Sequence, residues 1–257
     1  MSVTRVPIAI VGAGPGDVEL ITVKGRRLLD EAETIVYAGS LVNKKLFAGS
    51  SAELHDSSKM NLEEIVDVLS ISWKEGKKTV RLHTGDPSIF GAIKEQMVLL
   101  DQLEIPYDII PGVSSGTGSA AALKAELTLP EVTQTVIITR REGRTPVPEK
   151  EKLKLLAAHQ STMLIFLSVS MMESVVDELL EGGYLPETPI AVVEKASWPE
   201  ERIVRGCLDN ICEKVEEQEI RKTAMICVGR VFGDDPLEAV SKLYDKEFSH
   251  GTRKGKP

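Results

Sequence analysis

The sequence predicts an α/β protein of two domains, each built on a largely parallel or mixed sheet. Short apolar runs of strand length alternate with segments whose apolar residues recur every three or four positions, as in βαβ units. This alternation starts afresh after Pro111-Gly112, so we place the boundary there and assign the domains to residues 1–113 and 114–244. Residues 245–257 are rich in Lys and Gly and are expected to form a flexible tail.

The first domain is predicted from four strand-like runs and three helical segments. Asn61 and Glu64 have the N-x-x-E spacing of a capping box, which predicts a helix whose buried face includes Leu62 and Ile65. Residues 39–58 are turn-rich and are expected to be irregular. Strands are predicted at 6–11, 34–37, 80–83 and 107–110, and helices at 22–32, from 61 onward and at about 88–103.

The second domain continues the same alternation. Gly182-Gly183 closes a helix at 171–180, because glycine commonly follows a helix C-terminus. Further helices are predicted at 116–124, 150–159 and 209–217. Strands are predicted at 132–139, 163–167, 189–193, 202–206 and 224–228.

Composition narrows the possible function classes. A net charge of −8 disfavours a nucleic-acid-binding protein, because such binding depends on clustered Lys and Arg. No run reaches eighteen apolar residues and the N-terminus lacks the apolar segment of a signal peptide, so we expect a cytoplasmic protein with no membrane partner. The three cysteines are expected to be reduced thiols. The four histidines lie singly, without metal-motif spacing, so no metal site is predicted.

The stretch Thr84–Gly91 follows a strand-like run and contains Gly85-Asp86-Pro87. It places a glycine backbone, a carboxylate and a rigid proline at the carboxyl end of a strand, where open α/β sheets bind ligands. The alternative is a tight turn in which Asp86 or Ser88 caps the next helix.

The first strand runs into Gly12-Ala13-Gly14-Pro15-Gly16-Asp17, which invites comparison with the dinucleotide-binding fingerprint. The comparison fails, because Asp17 stands where the third glycine belongs and Pro15 removes a backbone N–H. A nicotinamide-dependent oxidoreductase is therefore only a remote alternative. The glycines still allow a ligand to approach the backbone closely.

Two further stretches have both a structural and a functional interpretation. Ser114 and Ser115 either cap the helix that follows or contact a ligand through their hydroxyl and N–H groups. Arg140, Arg141 and Arg144 form a basic, turn-prone loop after a strand, which is either a solvated surface loop or an anion-binding site.

Four stretches in the same order resemble the tetrapyrrole methylases that use S-adenosylmethionine. The matching stretches are Gly12–Asp17, Gly85–Gly91, Pro111–Ser115 and Val228–Val231. Within that family, Tyr37–Val42 and the Pro-Ser-Ile-Phe-Gly-Ala form of the second stretch are most similar to the branch that methylates C11 of precorrin-4 or cobalt-precorrin-4. A methylase of the same fold acting at another tetrapyrrole position or on a macromolecule, and a non-enzymatic cofactor-binding module, are the alternatives.

The resemblance implies two α/β domains with S-adenosylmethionine in the cleft between them, and a homodimer. Related members typically carry Gly-Gly-Asp, Thr-Ala and Met at positions where this chain has Thr84-Gly85-Asp86, Ser114-Ser115 and Leu167. The resemblance therefore does not define the individual hydrogen bonds to the cofactor at these positions. Carried over by position, the cofactor contacts are Pro15, Thr84, Gly85, Asp86, Ile89, Phe90, Ser114, Ser115, Leu167, Ala196 and Ala224.

Methyl transfer from a sulfonium needs alignment and water exclusion rather than a covalent intermediate. We hypothesise that Asp86 orients the cofactor, with a role as proton acceptor as the alternative. An acidic tetrapyrrole carries acetate and propionate carboxylates, so the protein needs a local cationic rim. The candidates for that rim are Arg140, Arg141, Arg144, Lys44 and Lys45.

Overall fold

A computed structural model describes residues 5–233, 246–249 and 251–254 and confirms the α/β class. Contacts between Cα atoms divide the chain into two units. Unit 1 comprises Met1–Gly118 and Ser197–Glu200, and unit 2 comprises Ser119–Ala196 and Glu201–Pro257. Each unit holds one five-stranded sheet. Much of the expected tail, and the end of the second domain before it, lies outside the described residues.

The sheet of unit 1 is parallel throughout, with the strand order β3-β2-β4-β1-β5. Its central strands are buried on both faces, so they consist mainly of β-branched and apolar residues, as parallel strands require. The strands are β1 (Ile8–Gly12), β2 (Thr34–Tyr37), β3 (Glu53–Asp56), β4 (Thr79–His83) and β5 (Tyr107–Ile110).

Helices cover both faces of this sheet; they are α1 (Val23–Asp30), α2 (Leu62–Lys74) and α3 (Lys94–Gln102). Leu29 of α1 joins Val11 in the core on one face. On the other face Leu69 of α2 and Leu100 of α3 lie in one cluster with Ile8. This arrangement places α2 and α3 together over one face and α1 over the opposite face.

The predicted capping box is confirmed at the start of α2. The Asn61 side chain accepts a hydrogen bond from the Glu64 N–H, and the Glu64 carboxylate accepts one from the Asn61 N–H, both at 2.8 Å. These bonds satisfy two backbone donors that would otherwise be unpaired at the helix N-terminus, so the helix begins here.

Two predictions for unit 1 are wrong. The region 39–58 contains the edge strand β3, whose residues are mainly exposed and therefore lack an apolar pattern. The helix expected at about 88–103 begins only at Lys94. Phe90 and Ala92 have φ angles of 52° and 48°, and a left-handed residue cannot continue a right-handed helix. The segment before α3 is therefore a loop, and neither Asp86 nor Ser88 caps that helix.

The sheet of unit 2 is mixed, with the order β6-β7-β10-β8-β9. Only β6 and β7 pair in parallel, whereas β10 runs antiparallel to β7 and β8, and β9 runs antiparallel to β8. The first strand is four residues shorter at its start than expected. The strands are β6 (Val136–Arg140), β7 (Thr162–Phe166), β8 (Pro189–Glu194), β9 (Arg202–Cys207) and β10 (Ala224–Val228).

The remaining helices of the described chain are α4 (Ser115–Leu123), which lies before β6 and begins in unit 1, and α5 (Leu153–Ala157), α6 (Met172–Glu181) and α7 (Ile211–Glu217) of unit 2. The helix expected at 150–159 is shorter than predicted and follows a 3-10 turn at Glu149–Glu151. Val175 of α6 and Ile211 of α7 are buried with Ile165 and Val192 of the sheet, in the main core of this unit.

Three observations concern the cysteines, metal binding and membrane-spanning helices. The three cysteines are unpaired, and burial raises the pKa of the Cys227 thiol to about 12. Among the described residues, no group of three or more His, Cys, Asp or Glu side chains is placed to hold a metal ion. Within the same residues, no helix has the length and apolar character that a membrane crossing requires.

Candidate active site

The loops after β1 and β4 lie at a topological switch point of the unit 1 sheet, where the connections from two neighbouring strands run to opposite sides. These strands are neighbours, yet the chain leaves β1 for β2 on one side and leaves β4 for β5 on the other. Open α/β sheets bind ligands beside the carboxyl ends of strands at such a switch point. The predicted stretches Gly12–Asp17 and Thr84–Gly91 both begin there.

The backbones of these two loops pair directly. Gly85 N donates to Gly14 O at 2.8 Å, Gly14 N donates back to Gly85 O at 3.3 Å, and Ala13 N donates to His83 O at 2.7 Å. A Cβ on Gly112 would lie 2.1 Å from Gly85 O, and one on Gly12 would lie 2.6 Å from Gly112 Cα. Glycine is therefore required for the loops after β1, β4 and β5 to pack backbone against backbone.

Asp86 ties the loop after β4 to the loop after β5. Its Oδ2 accepts from Gly112 N at 3.0 Å, and its Oδ1 accepts from Ser88 N at 2.8 Å and from the Ser88 hydroxyl. Burial raises the pKa of Asp86, but the hydrogen bonds from Ser88 and Gly112 outweigh it and leave the pKa below its usual value. A carboxylate of lowered pKa is a weak base, which favours a holding role over proton abstraction.

Several predicted contact residues lie around the packed loops after β1, β4 and β5. Ser114 caps α4, because its Oγ accepts from Gly116 N at 3.2 Å and its carbonyl from Gly118 N at 2.9 Å. Ser115 opens the helix, and its N lies 3.6 Å from where a Cβ on Gly85 would stand. The predicted contacts at Thr84 and Phe90 are exposed, and Ile89 is half-buried.

The loop that contains Pro15 is held from outside by partners that the sequence did not indicate. Trp198 Nε1 donates to Pro15 O at 2.8 Å, and a Cβ on Gly16 would meet the indole at 2.0 Å. Asn43 Nδ2 donates to Gly16 O at 2.9 Å, and Asp17 N donates to the Ser197 hydroxyl at 2.9 Å. These contacts fix the loop, but no local sequence signal links residues so far apart.

In unit 2, the predicted contacts lie at one edge of the sheet. Leu167 follows β7 directly, is 69% exposed and has φ of 55°. Ala196 lies two residues beyond β8 and is buried, and Ala224 is the first residue of β10. Since Ala224 pairs with Glu194 and β10 is antiparallel to β7, the start of β10 lies at the same end of the sheet as the carboxyl ends of β7 and β8.

The arginine loop of unit 2 uses two of its three arginines internally. Arg140 donates to the carbonyls of Thr145 and Pro146, at 3.2 and 2.7 Å. Arg141 Nε donates to Glu178 Oε1 at 2.6 Å in a half-buried ion pair. Arg144 is exposed. The guanidinium groups of Arg140 and Arg141 therefore stabilise the loop and are not free to bind a ligand.

The two lysines of the predicted cationic rim lie in unit 1 and are exposed. Lys44 Nζ lies 5.7 Å from the centre of the Tyr37 ring, within range of a cation–π interaction. The Lys45 N–H donates to the Asn43 side chain at 3.1 Å. Both ammonium groups remain accessible to an anionic ligand.

A cavity of about 390 Å³ opens in unit 1 beside the Thr84–Gly91 loop. Arg81 and His83, which the sequence analysis did not single out, lie on its wall and are only 4% and 5% exposed. The remaining wall is formed by Ala38, Leu41, Ser57, Leu62, Ile65, Thr84, Ile89, Phe90, Gly91, Ala92, Glu95 and Gln96.

Arg81 is buried without a carboxylate partner among the described residues. Its Nε donates to Gln96 Oε1 at 3.1 Å and its Nη1 to Val36 O at 3.2 Å. Burial lowers the pKa of Arg81 to about 10. Burial first, and then the charge of Arg81, lowers the pKa of His83 to about 3, and its Nε2 has no hydrogen-bond partner.

The signal for these two residues was present in the sequence. Alternate residues of a strand face the same side, so Arg81 and His83 share one face of β4. Polar side chains inside a strand that is buried on both faces are unusual and need an explanation. Arg81 and His83 therefore interrupt the apolar character of the run, and that interruption is the signal.

Comparisons with known proteins agree with the motifs. The sequence model of the Tetrapyrrole (Corrin/Porphyrin) Methylases matches residues 7–212. The chain is 61% identical to the cobalt-precorrin-4 C(11)-methyltransferase of Methanocaldococcus jannaschii over 249 residues, which are 96% of this chain and 96% of that protein.

Two solved structures share the fold. The X-ray structure of a cobalt precorrin-4 methyltransferase, a cobalamin biosynthetic enzyme, is 48% identical with a TM-score of 0.86 and covers 90% of this chain and 96% of its own. The uroporphyrin-III C-methyl transferase of Thermus thermophilus complexed with S-adenyl homocysteine is 29% identical with a TM-score of 0.73, covering 88% and 98%. The chain belongs to the tetrapyrrole (corrin/porphyrin) methylase family.

Proposed function

We propose that this protein is an S-adenosylmethionine-dependent C-methyltransferase of cobalamin biosynthesis. It methylates C11 of precorrin-4 or cobalt-precorrin-4 and yields the corresponding precorrin-5. The observation that carries the proposal is the 61% identity, over 96% of both chains, to a cobalt-precorrin-4 C(11)-methyltransferase. The 48% identical structure of a cobalt precorrin-4 methyltransferase supports the same substrate.

The residues around the packed loops after β1, β4 and β5 carry hydrogen-bond donors and apolar surface that suit S-adenosylmethionine. Thr84 and Ser115 offer hydroxyl groups beside the glycine backbone, and Ser115 opens a nine-residue helix with its N–H group. Such donors suit the ribose and carboxylate oxygens of the cofactor. Ile89 and Phe90 add apolar surface next to them. We therefore propose that these residues, with Pro15, Gly85, Asp86 and Ser114, hold the cofactor. The family resemblance adds Leu167, Ala196 and Ala224 as further proposed cofactor contacts.

Bound S-adenosylmethionine supplies an electrophilic methyl group on sulfur and leaves as a neutral thioether. The protein then needs to align the acceptor carbon with that methyl group and to keep water out. The glycine-packed loops suit this task because direct backbone hydrogen bonds fix them. Asp86 contributes by fixing the loop geometry, since both of its oxygens already accept hydrogen bonds from Ser88 and Gly112.

Three further properties belong to the proposal. The family resemblance supports a homodimer. A cytoplasmic location agrees with three unpaired cysteines, which persist in a reducing compartment. No protein-bound metal is proposed, because the transfer of a methyl group from sulfur to carbon requires none. Any cobalt would belong to the substrate.

The test is incubation of the protein with S-adenosylmethionine carrying a ¹³C-methyl group, with precorrin-4 and cobalt-precorrin-4 as separate acceptors. Nuclear magnetic resonance should locate the label on C11, and the faster acceptor identifies the natural form. Uroporphyrinogen III serves as a third acceptor, because the 29% identical relative is a uroporphyrin-III C-methyl transferase. Labelling of that compound alone would refute the C11 assignment.

A further inference from the structure

We propose that Arg81 and His83 form a recognition site for one carboxylate arm of the acidic tetrapyrrole. This inference rests on the proposed function, because it names how the substrate of that reaction is held. The site is the wall of the unit 1 cavity, next to the Thr84–Gly91 loop.

The first support is the charge of Arg81. Buried charges in proteins are normally paired, because an ion removed from water loses several kcal/mol of solvation. Arg81 is 4% exposed, and no carboxylate of the described chain lies within ion-pair distance of it. Its protein partners are an amide oxygen of Gln96 and a carbonyl of Val36, both uncharged. An anion arriving in the cavity supplies the missing counter-charge.

The second support is the number of donors left over. A guanidinium has five N–H groups, and Arg81 uses one on Nε and one on Nη1. The Nη2 group makes no hydrogen bond with the described chain, so it remains available to a carboxylate. His83 adds Nε2, which is buried and has no partner. Arg81 and His83 share one face of β4 and both line the cavity, so a single ligand can engage both.

The protonation state of His83 fits a neutral donor. With its pKa lowered to about 3, the ring carries no charge at neutral pH. In the tautomer with the proton on Nε2, it donates one hydrogen bond without competing with Arg81 for the counter-charge. The second oxygen of a carboxylate remains for the guanidinium. A neutral ring thus adds selectivity for an acceptor oxygen.

The other walls of the cavity define what carries the carboxylate. Leu41, Leu62, Ile65 and Ile89 are apolar and suit the methylene groups of an acetate or propionate arm. Glu95 is exposed and also lines the cavity. Its negative charge opposes the entry of a second carboxylate on that side, so the cavity accepts a single arm. A volume of about 390 Å³ leaves room for part of a pyrrole ring as well.

The experiment uses Arg81→Met and His83→Leu, each similar in size to the original residue. Arg27→Met is the matched control, because it removes one positive charge from α1 of the same unit and Arg27 does not line the cavity. Arg81→Lys is the second variant at that position, retaining the charge but losing the forked donors. Melting temperature without ligand should stay within about 3 °C of the wild type, because Arg81 has no ionic partner to lose.

Two equilibrium titrations then separate the possible ligands, one with uroporphyrin III and one with S-adenosylhomocysteine. We expect uroporphyrin III to bind about tenfold to a hundredfold more weakly to the Arg81 and His83 variants, as for a lost charge-assisted hydrogen bond. S-adenosylhomocysteine should bind unchanged. Arg27→Met should match the wild type in both titrations.

Other outcomes overturn the inference. Weaker binding of S-adenosylhomocysteine with unchanged uroporphyrin III would assign the site to the cofactor carboxylate instead. Unchanged binding of both ligands in folded variants would show that the pair recognises neither. Because these titrations need no methyl transfer, loss of uroporphyrin III binding would uphold the inference even if wild-type protein failed to methylate precorrin-4.

Discussion

The arginine loop of unit 2 and the strand β4 of unit 1 use buried or half-buried arginines in opposite ways. Arg141 pairs with Glu178 at 2.6 Å, and Arg140 donates to carbonyls of its own loop. Arg81 has only neutral partners and lies on a cavity wall. Arg140 and Arg141 therefore stabilise their own part of the structure. Arg81 of β4, in contrast, has N–H donors that no described residue satisfies.

The difference shows which arginines are available to a ligand. A run of basic residues in a loop suggests an anion site, yet backbone carbonyls and one glutamate already satisfy Arg140 and Arg141. The loops of unit 1, in contrast, are held by glycine backbones and by Asp86. Because the backbone performs that structural task, Arg81 and His83 are not needed for it.

The largest expected effect tests the backbone packing of unit 1. Gly112→Ala should lower the free energy of unfolding by about 3 kcal/mol, because the new Cβ would lie 2.1 Å from the Gly85 carbonyl oxygen. Gly49→Ala is the control, with no atom within 4 Å of its Cβ. It should cost only about 1–2 kcal/mol for its positive φ. Equal losses in urea unfolding would contradict backbone-to-backbone packing.

Asp86→Asn should come next, with a loss of about 2 kcal/mol at pH 7, because an amide offers one acceptor oxygen where the carboxylate offers two. The folded pKa of Asp86 is lowered, so its contribution is complete above the unfolded value of about 3.9 and disappears as pH falls through the folded value. The difference between wild type and variant should therefore shrink below about pH 4. A difference independent of pH would argue against the carboxylate as the tie.

A direct contrast between the two arginines should give a smaller effect. Arg141→Met should cost about 1–2 kcal/mol, since it leaves a half-buried Glu178 unpaired. Arg81→Met should change stability by less than about 1 kcal/mol, because the loss of two hydrogen bonds is offset by removal of an unpaired buried charge. Chemical unfolding of both variants checks this. The comparison between the regions fails if Arg81→Met is the more damaging change.

The smallest effect is expected at Arg144, which is exposed. Arg144→Ala should leave stability within about 0.5 kcal/mol and raise the KM for the tetrapyrrole about two- to threefold at low salt, through long-range attraction alone. That increase should vanish in about 0.5 M salt. A larger increase that survives high salt would place a substrate carboxylate on the arginine loop after all.

Much of unit 1 was predictable because the carboxyl ends of parallel strands lie together at one edge of the sheet. Gly12–Asp17 and Thr84–Gly91 each follow a strand, so their meeting at the switch point follows from the α/β pattern. The left-handed Phe90 and Ala92 carry no sequence signal, so the late start of α3 was missed. Arg140 is bonded to carbonyl groups that only the folded loop brings close to it, and the spacing of residues in the sequence does not predict those hydrogen bonds.

The most direct test of the account is a crystal structure of the protein with S-adenosylhomocysteine and an acidic tetrapyrrole bound. We expect a tetrapyrrole carboxylate within hydrogen-bond distance of Arg81 Nη2 and His83 Nε2, and the cofactor product beside Gly85 and Ser115. Carboxylates held by the arginine loop, with the unit 1 cavity free of the tetrapyrrole, would contradict the account.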